Sequence, residues 1–430
     1  MDVLIQAVVF LTFAAVTLVP FLTSLGALPN DAKFLAEFLS GPVAVYVIIA
    51  GIRQRFGLVS AKYWLAFGGT ALILVCGALA NDVGSGPLIS GMRYYLRAIP
   101  FFFLPAVYEF KDWQLRQQLR ALGALCLLQV PVAVFQRHEI MVTGHTTNAD
   151  AVIGTVMQSG VLSMLLICAL CVFGAAMLRD RLPKWVFALL FLLFIFPMSI
   201  NETKATVILL PLGLLTTFIV GAPAHKRVQA TVGALAILAV GGAIFVPVFD
   251  YYQAKTAIPY KIADFFTNKT ELYNYLNTGA RVGTHKEAGR VEALTIPVQE
   301  LARDPVTLAL GLGLGNVSHS SLGTEFTGAH YGVYGRYTNE TSIATFLFEA
   351  GILGTGLILW LHWLVLTDAF FVARTDPGVV GTLALGFVGT LAVVTVGLFY
   401  IALHITYLVS YLFWYLAGVI AARRMQLRSA

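Results

Sequence analysis

A single long polar stretch, residues 250–340, interrupts an otherwise hydrophobic chain and has apolar segments on both sides. About 20 mostly apolar residues are enough to cross a bilayer as an α-helix, which satisfies its own backbone hydrogen bonds there. Hydrophobic residues make up 58% of the chain and charged residues only 12%, unlike a typical soluble domain. The pattern therefore predicts an all-α polytopic membrane protein with one large loop outside the membrane.

Twelve segments are candidate membrane helices, nine before the polar stretch and three after it. They span residues 3–26, 35–52, 63–80, 94–110, 121–136, 151–178, 185–200, 205–221, 229–249, 341–366, 381–402 and 405–422. The first segment lacks the basic start and small-residue cleavage site of a signal peptide, so we interpret it as a helix. We expect a single integral membrane domain, 1–430, with the loop between its ninth and tenth helices.

The distribution of Lys and Arg predicts the orientation of the bundle. If both termini are cytoplasmic, fifteen of the 28 Lys and Arg residues fall in the cytoplasmic loops and the C-terminal tail. The 250–340 loop then lies on the outer side of the membrane. The net charge of +6 mostly reflects this bias, and it does not indicate nucleic-acid binding.

Neither a metal nor another cofactor is expected. The four cysteines all lie in apolar segments, which predicts no disulfide framework and no zinc site. The sequence also has no Asp-x-Asp motif or other carboxylate cluster of the kind that holds a divalent cation.

Within the polar loop, apolar residues recur every three or four positions, which predicts amphipathic helices over 258–277 and 287–303. The second helix is expected to kink at Pro297 and to end at Asp304. Residues 311–315 read GLGLG but lack the Lys-Ser/Thr of a phosphate-binding loop. We interpret this run as a tight structural turn.

Several charged residues near the outer side are candidates for function. Arg93 and Arg97 lie one helical turn apart, and they either anchor the helix at the interface or line a cavity. Lys204 lies at the start of an apolar segment. It is either an interfacial lysine that extends its charged end to the membrane surface or a functional residue. Arg290 is predicted to lie inside the second amphipathic helix, as a solvated or salt-bridged residue unless it has a function.

Two further kinds of titratable residue need an explanation. Glu349 lies within an apolar segment, where a carboxylate is costly unless it is paired, faces a cavity or accepts hydrogen bonds from a neighbouring turn. Five histidines are predicted to lie outside the membrane, and they cannot all be catalytic. They are His138, His145, His285, His319 and His330.

Three short motifs together resemble the O-antigen ligase/polymerase superfamily. Segment 289–293 reads GRVEA and is followed by Asp304-Pro305 and by GLGLGN at 311–316, similar to the family's Arg-bearing helix and glycine-rich turn. Segments 339–343 (NETSI) and 348–354 (FEAGILG) resemble the family's returning helix. Segment 201–205 (NETKA) stands where the family has a Ser-Arg-type motif. The sequence departs from the ligase pattern in having Asn339-Glu340-Thr341 near the ligase histidine, and Lys204 in place of Arg.

The resemblance implies a bacterial inner-membrane enzyme that moves glycans from undecaprenyl diphosphate on the periplasmic face. Its partners would be the lipid-linked glycan, the bilayer, and a chain-length regulator or other polysaccharide-assembly protein. The leading hypothesis is a metal-independent glycosyltransferase that polymerises repeat units of an exopolysaccharide or O-antigen. An O-antigen ligase with lipid A–core as acceptor is the alternative enzyme.

Such chemistry assigns roles to the candidate residues. Cations stabilise the charge that grows on a leaving diphosphate, and Arg binds phosphate oxygens bidentately. We expect Arg290 and Lys204 to meet at the outer interface and to bind the diphosphate. Additional cations would come from Arg93, Arg97 or Arg336.

A sugar hydroxyl is a poor nucleophile, so a general base is also expected. Glu340 is the preferred base because it falls close to the ligase histidine position, and His330 is the second candidate. A transporter or lipid flippase is the hypothesis from another class. Against it, the sequence has no inverted repeat and no matched pair of Gly/Pro-broken helices.

Overall fold

The computed structural model describes residues 2–54, 56–143, 152–255, 261–277, 281–282, 285–286 and 288–429. Within these ranges the chain is almost entirely helical. Its β structure there is limited to a hairpin of two short antiparallel strands, β1 (Arg281–Val282) and β2 (His285–Lys286). The prediction of an all-α fold is confirmed.

Helices before the polar loop account for most of the bundle. They are α1 (Asp2–Thr17), α2 (Val19–Ser24), α3 (Leu35–Gln54), α4 (Ala61–Ala80), α5 (Ser85–Leu96), α6 (Ile99–Val107), α7 (Asp112–Thr143), α8 (Ser159–Leu178), α9 (Lys184–Ile200), α10 (Thr206–Gly221) and α11 (Arg227–Gln253). Short 3₁₀ turns cover Asn30–Phe34, Gly154–Val156 and Ala224–Lys226.

The polar loop and the last part of the chain add eight more described helices. They are α12 (Ile262–Thr267), α13 (Lys269–Asn277), α14 (Glu292–Leu301), α15 (Pro305–Leu310), α16 (Tyr331–Thr338), α17 (Ser342–Thr375), α18 (Val379–Gly397) and α19 (Tyr407–Ser429). Seven described helices are long and apolar enough to cross a membrane: α3, α4, α7, α8, α11, α17 and α18. These helices indicate a multi-pass membrane protein, while the number of twelve spans stays a prediction.

Two predicted helices are each divided in the structure, both next to a proline. The segment 3–26 forms α1 and α2, with Pro20 in the first turn of α2. The segment 94–110 is replaced by α5, which begins earlier, and α6, which has Pro100 in its first turn. Proline lacks a backbone donor and is most favourable in the first turn of a helix, which favours a new helix start at each of these two positions. Arg97 consequently lies at the break between α5 and α6.

The polar loop differs from the prediction in both amphipathic helices. Residues 258–260 of the first lie outside the described residues, and the rest forms α12 and α13, divided at Asn268. The second begins only at Glu292, so the prediction that Arg290 lies inside a helix is wrong. The cause is a close contact before α14, where a Cβ on Gly289 would lie 2.4 Å from the Asn277 carbonyl carbon. Arg290 therefore lies in a turn held against the end of α13.

Helix α18 lies at the centre of the bundle, packed against α8, α10 and α17. Small residues allow this close approach, as in other membrane helix pairs. A Cβ on Gly389 of α18 would lie 2.5 Å from the carbonyl oxygen of Gly213 in α10. The core therefore depends on backbone-to-backbone contact between helices distant in sequence.

Basic residues that were predicted to be cytoplasmic gather at one end of the bundle. Lys62 of α4 and Arg424 of α19 both bind Asp368 of α17, and the Lys62 contact is 2.7 Å. Near the N-terminus, Asp2 lies 3.6 Å from Lys111. A hydrogen bond from α19 to Glu109, two residues before Lys111, places the start of α1 and the end of α19 on the same side of the bundle. The side of the membrane that this end faces stays a prediction.

The glycine-rich run 311–315 forms a tight turn that packs into a kink of α17. Gly311 (φ 76°) and Gly351 (φ 62°, ψ −167°) both adopt conformations that other residues rarely reach. A Cβ on Gly311 would lie 2.5 Å from the Glu349 carbonyl carbon, and one on Gly351 would lie 2.4 Å from the Ala309 oxygen. The backbone N–H of Leu312 donates to the Phe348 carbonyl at 2.6 Å. The predicted structural turn is confirmed, and it explains why glycines occur in both segments.

Replacing Gly351 by Ala should destabilise the protein, because the added Cβ meets backbone and the conformation suits glycine alone. We expect a loss of about 1–3 kcal/mol in the free energy of unfolding from the backbone conformation alone. Gly356→Ala, on the same helix with open space around it, should be neutral or stabilising by up to about 1 kcal/mol. Thermal unfolding of both variants in detergent measures the difference, and equal midpoints would contradict the packing argument.

Candidate functional site

The first cationic group consists of Arg93, Arg97, Glu37 and Tyr407. Both guanidinium groups bind the one carboxylate of Glu37, and the Arg97 contact is 3.4 Å. Tyr407 donates to Glu37 Oε1 at 2.7 Å and accepts from Arg93 Nη2 at 2.7 Å. Two cations therefore share one anion, which leaves this group with an excess positive charge.

Arg97 also ties this group to the connection between α18 and α19. Its Nη2 donates to the carbonyl oxygens of His404 and Ile405 at 3.3 and 2.7 Å, and its guanidinium lies 4.0 Å from the centre of the Tyr407 ring. Its side chain is only 2% exposed. Arg97 is mainly a structural cation, whereas the side chain of Arg93 is 12% exposed and also reaches Ser321 Oγ at 3.3 Å.

The second cationic group consists of Lys204, Arg290, Glu340, Tyr275 and Tyr400. Lys204 Nζ and Arg290 Cζ lie 5.2 and 5.8 Å from the centre of the same Tyr275 ring. Arg290 also lies 5.0 Å from the Tyr400 ring and forms an ion pair with Glu340. The structure thus brings together the two cations that the sequence predicted would meet.

The connection between α18 and α19 joins the two groups. Tyr400, near its start, contacts Arg290 and hydrogen bonds to Tyr275. The carbonyls of His404 and Ile405, near its end, bind Arg97. One short segment therefore sets the spacing between the two cationic groups.

A polar cavity of about 290 Å³ adjoins the first group, because its lining includes His404 and Ile405, whose carbonyls bind Arg97. It is lined by Tyr94, Ser318, His319, Tyr331, Thr338, Asn339, Thr345, His404 and Ile405. The Tyr94 ring lies 5.8 Å from Arg93 and 5.4 Å from Arg97. The lining also includes Asn339, which immediately precedes Glu340, the partner of Arg290. None of the described lining residues is Asp, Glu, Lys or Arg.

A second, apolar cavity of about 110 Å³ adjoins the polar one, and Tyr94 and His404 belong to the walls of both. Its walls come from α4, α17, α18 and α19, and they include Phe67, Phe346 and Trp414. Three of these helices are long and apolar enough to cross a membrane. The pair of cavities therefore changes from polar to apolar at a wall formed by Tyr94 and His404.

His404 contributes hydrogen bonding but no charge to this wall. Burial, with a smaller contribution from the Arg97 guanidinium, lowers the pKa of His404 to about 3, so its imidazole is neutral at neutral pH. Its Nδ1 lies 3.2 Å from Ser342 Oγ, and its backbone N–H donates to the same oxygen at 3.1 Å.

Glu349 lies behind the polar cavity, fully buried in α17. It accepts a hydrogen bond from Ser318 Oγ at 2.7 Å, and Ser318 is itself part of the cavity wall. The glycine-rich turn brings Ser318 to this position. The carboxylate thus accepts a hydrogen bond from a neighbouring turn, one of the arrangements expected for it.

The remaining predicted site residues lie outside the cavity wall. Glu340 forms an ion pair with Arg290, so its carboxylate is already engaged outside the cavity. His330 is exposed at the N-terminus of α16, with its ring 6.3 Å from that of Tyr334. Arg336 is also exposed and lies over the Tyr337 ring at 4.6 Å. The roles of all three stay predictions, and His145 lies outside the described residues.

Sequence reasoning missed several residues that build this end of the bundle. Arg137 and Glu202 form a buried ion pair at 2.8 Å, beside Lys204 in sequence, and Glu202 has a positive φ of 60°. Glu37 and the aromatic residues around the cations were also missed. These pairs could have been predicted only from the position of each charged residue beside an apolar segment. An unpaired charge is costly there, so a partner is expected.

No family model matches this chain, and no curated protein matches it significantly. The function is therefore argued from the chemistry of the site together with the motifs that define it. Those motifs correspond to physical features: the glycine turn, the kink at Gly351 and the second cationic group.

Replacing Glu37 by Gln should destabilise the protein, because the nearly buried Arg97 would lose its anion. We expect a loss of about 1–3 kcal/mol in the free energy of unfolding. Asp31→Asn, an exposed acidic residue just before α3, is the matched control and should change little. Thermal unfolding of both variants tests this, and an unchanged midpoint for Glu37→Gln would show that Glu37 does not hold the group together.

Proposed function

We propose that this protein polymerises undecaprenyl-diphosphate-linked oligosaccharide repeat units into a surface polysaccharide at the periplasmic face of the bacterial inner membrane. The product is an exopolysaccharide or an O-antigen. In this reaction a hydroxyl of one lipid-linked glycan attacks the anomeric carbon of another. A polyprenyl diphosphate then leaves with the negative charge.

The observation that carries the proposal is the uncharged polar cavity whose lining residues adjoin two cationic groups. Arg93 and Arg97 lie beside its Tyr94 wall, and Arg290 lies beside its Asn339 wall through Glu340. A polymerase has two lipid diphosphates to hold, with neutral sugar between them. Two cationic groups next to residues that line one polar cavity suit that pair of substrates.

The second cationic group is suited to the leaving diphosphate. Arg290 can give two parallel hydrogen bonds to phosphate oxygens, and Lys204 adds a compact point charge. Glu340 and the rings of Tyr275 and Tyr400 hold the guanidinium in place before the substrate arrives. Cations that are already oriented stabilise growing charge without a reorganisation cost.

The adjoining apolar cavity supports a lipid-linked substrate. It lies between helices that are apolar enough to cross a membrane and shares Tyr94 and His404 with the polar cavity. A substrate with a polar head and a hydrocarbon tail would place its head in one cavity and the first part of its tail in the other. This position also lies near Arg93, the more exposed of the two arginines, which would bind the diphosphate that links head and tail.

Replacing Arg290 by Ala should reduce polymer formation by about 10²–10³-fold, because one preorganised donor to the developing charge is lost. Arg303→Ala is the matched control: Arg303 is 74% exposed and bound to Glu300 one turn away on the same loop. Polymer is measured in cells carrying each variant in place of the wild-type gene, with membrane abundance checked for both proteins. Wild-type polymer in the Arg290→Ala strain would exclude the diphosphate role.

Deleting the gene tests the reaction itself. Single repeat units left on the lipid carrier, with polymer absent, are the expected result. Intact polymer stranded on the carrier would instead identify a ligase. Unchanged polysaccharide and unchanged lipid-linked intermediates would reject glycan transfer and favour a transporter.

A further inference from the structure

The polar cavity has the size and chemistry of a site for one neutral sugar unit. Its volume of about 290 Å³ is just below the roughly 300–1,000 Å³ typical of drug-sized ligand sites, as expected for a smaller ligand. Hydroxyl, amide and imidazole groups line it, and each can donate and accept hydrogen bonds, as sugar hydroxyls do. The neighbouring cations lie outside this lining, so anionic groups have a separate place to bind.

His319 is held in the cavity wall on a well-fixed segment. Tyr94 donates from its hydroxyl to the His319 carbonyl at 3.0 Å. On either side of it, the Ser318 carbonyl accepts from Gly328 N–H at 3.0 Å and Ser320 N–H donates to Thr327 Oγ1 at 3.2 Å. The His319 ring packs against the Tyr331 ring, with their centres 5.3 Å apart, and both residues line the cavity.

The other candidate bases are less well placed. Glu340 is engaged by Arg290, and His330 lies at the exposed start of α16, outside the cavity wall. His404 lines the cavity, but its lowered pKa of about 3 makes it a hydrogen-bonding group and not a proton acceptor at neutral pH. Imidazole is the side chain best suited to proton transfer near neutral pH. Among the described lining residues, His319 is therefore the remaining candidate for the general base.

We infer that the polar cavity binds the acceptor sugar and that His319 is the general base for its attacking hydroxyl. This inference rests on the proposed polymerase function. A ring nitrogen of His319 takes the hydroxyl proton while the acceptor oxygen bonds to the donor's anomeric carbon. The bond from that carbon to the diphosphate oxygen breaks, and its electron pair leaves with the polyprenyl diphosphate. The exposed imidazole then returns its proton to solvent.

The test compares four proteins in the gene-deletion strain: the wild type, His319→Ala, His319→Gln and His138→Ala. Membranes from each strain are supplied with lipid-linked repeat units extracted from the deletion strain, and their rate of consumption is measured. His138 is the matched control because it is an exposed histidine near the same end of the bundle, on α7. Gln can hydrogen bond to a sugar hydroxyl but cannot take its proton.

We expect both His319 variants to be slower than wild type by about 10²–10⁴-fold and His138→Ala to match wild type, all at equal membrane abundance. Wild-type rates in His319→Ala would overturn the inference and leave the polymerase proposal intact. A rate restored by Gln alone would also overturn it, because His319 would then only bind the sugar. If the deletion strain accumulates no lipid-linked units, the proposed function fails and the inference fails with it.

Discussion

The contact between the glycine-rich turn and the kink of α17 is the constraint on which the rest of the site depends. Gly311 and Gly351 meet backbone to backbone, and neither position has room for a side chain. This contact determines the path of the chain that follows, so that Ser318 reaches Glu349 and His319 reaches the cavity wall. The glycine-rich part of the polar loop therefore packs directly against a helix of the bundle.

Charge pairing is the second constraint, because an unpaired cation near a membrane is costly. Arg93 and Arg97 share Glu37, Arg290 pairs with Glu340, and Arg137 pairs with Glu202. Aromatic rings then cover the faces of several of these cations, which stabilises them further. The carboxylate and aromatic contacts that offset the cost of placing these cations near a membrane therefore also hold them in a fixed orientation for binding an anion.

Sequence reasoning was accurate where a local pattern carried the information. The all-α fold and the structural turn at 311–315 agree with the structure. It was wrong where a tertiary contact decides local structure. Arg290 lies outside the helix predicted for it because Gly289 packs on the end of α13, a contact that helical periodicity does not record.

The sequence by itself determined a helical membrane protein, the position of its large loop and the glycines at which its backbone turns. These features follow from hydrophobicity, helix period and backbone freedom, which act over a few residues. The tertiary structure alone decided that Glu37 pairs with Arg93 and Arg97 and that Tyr275 and Tyr400 lie against Arg290. It also decided that the cavity beside Tyr94 has no charged residue among its described lining. The physical reason is that pairing and enclosure depend on how distant helices pack, and many packings satisfy the same local pattern.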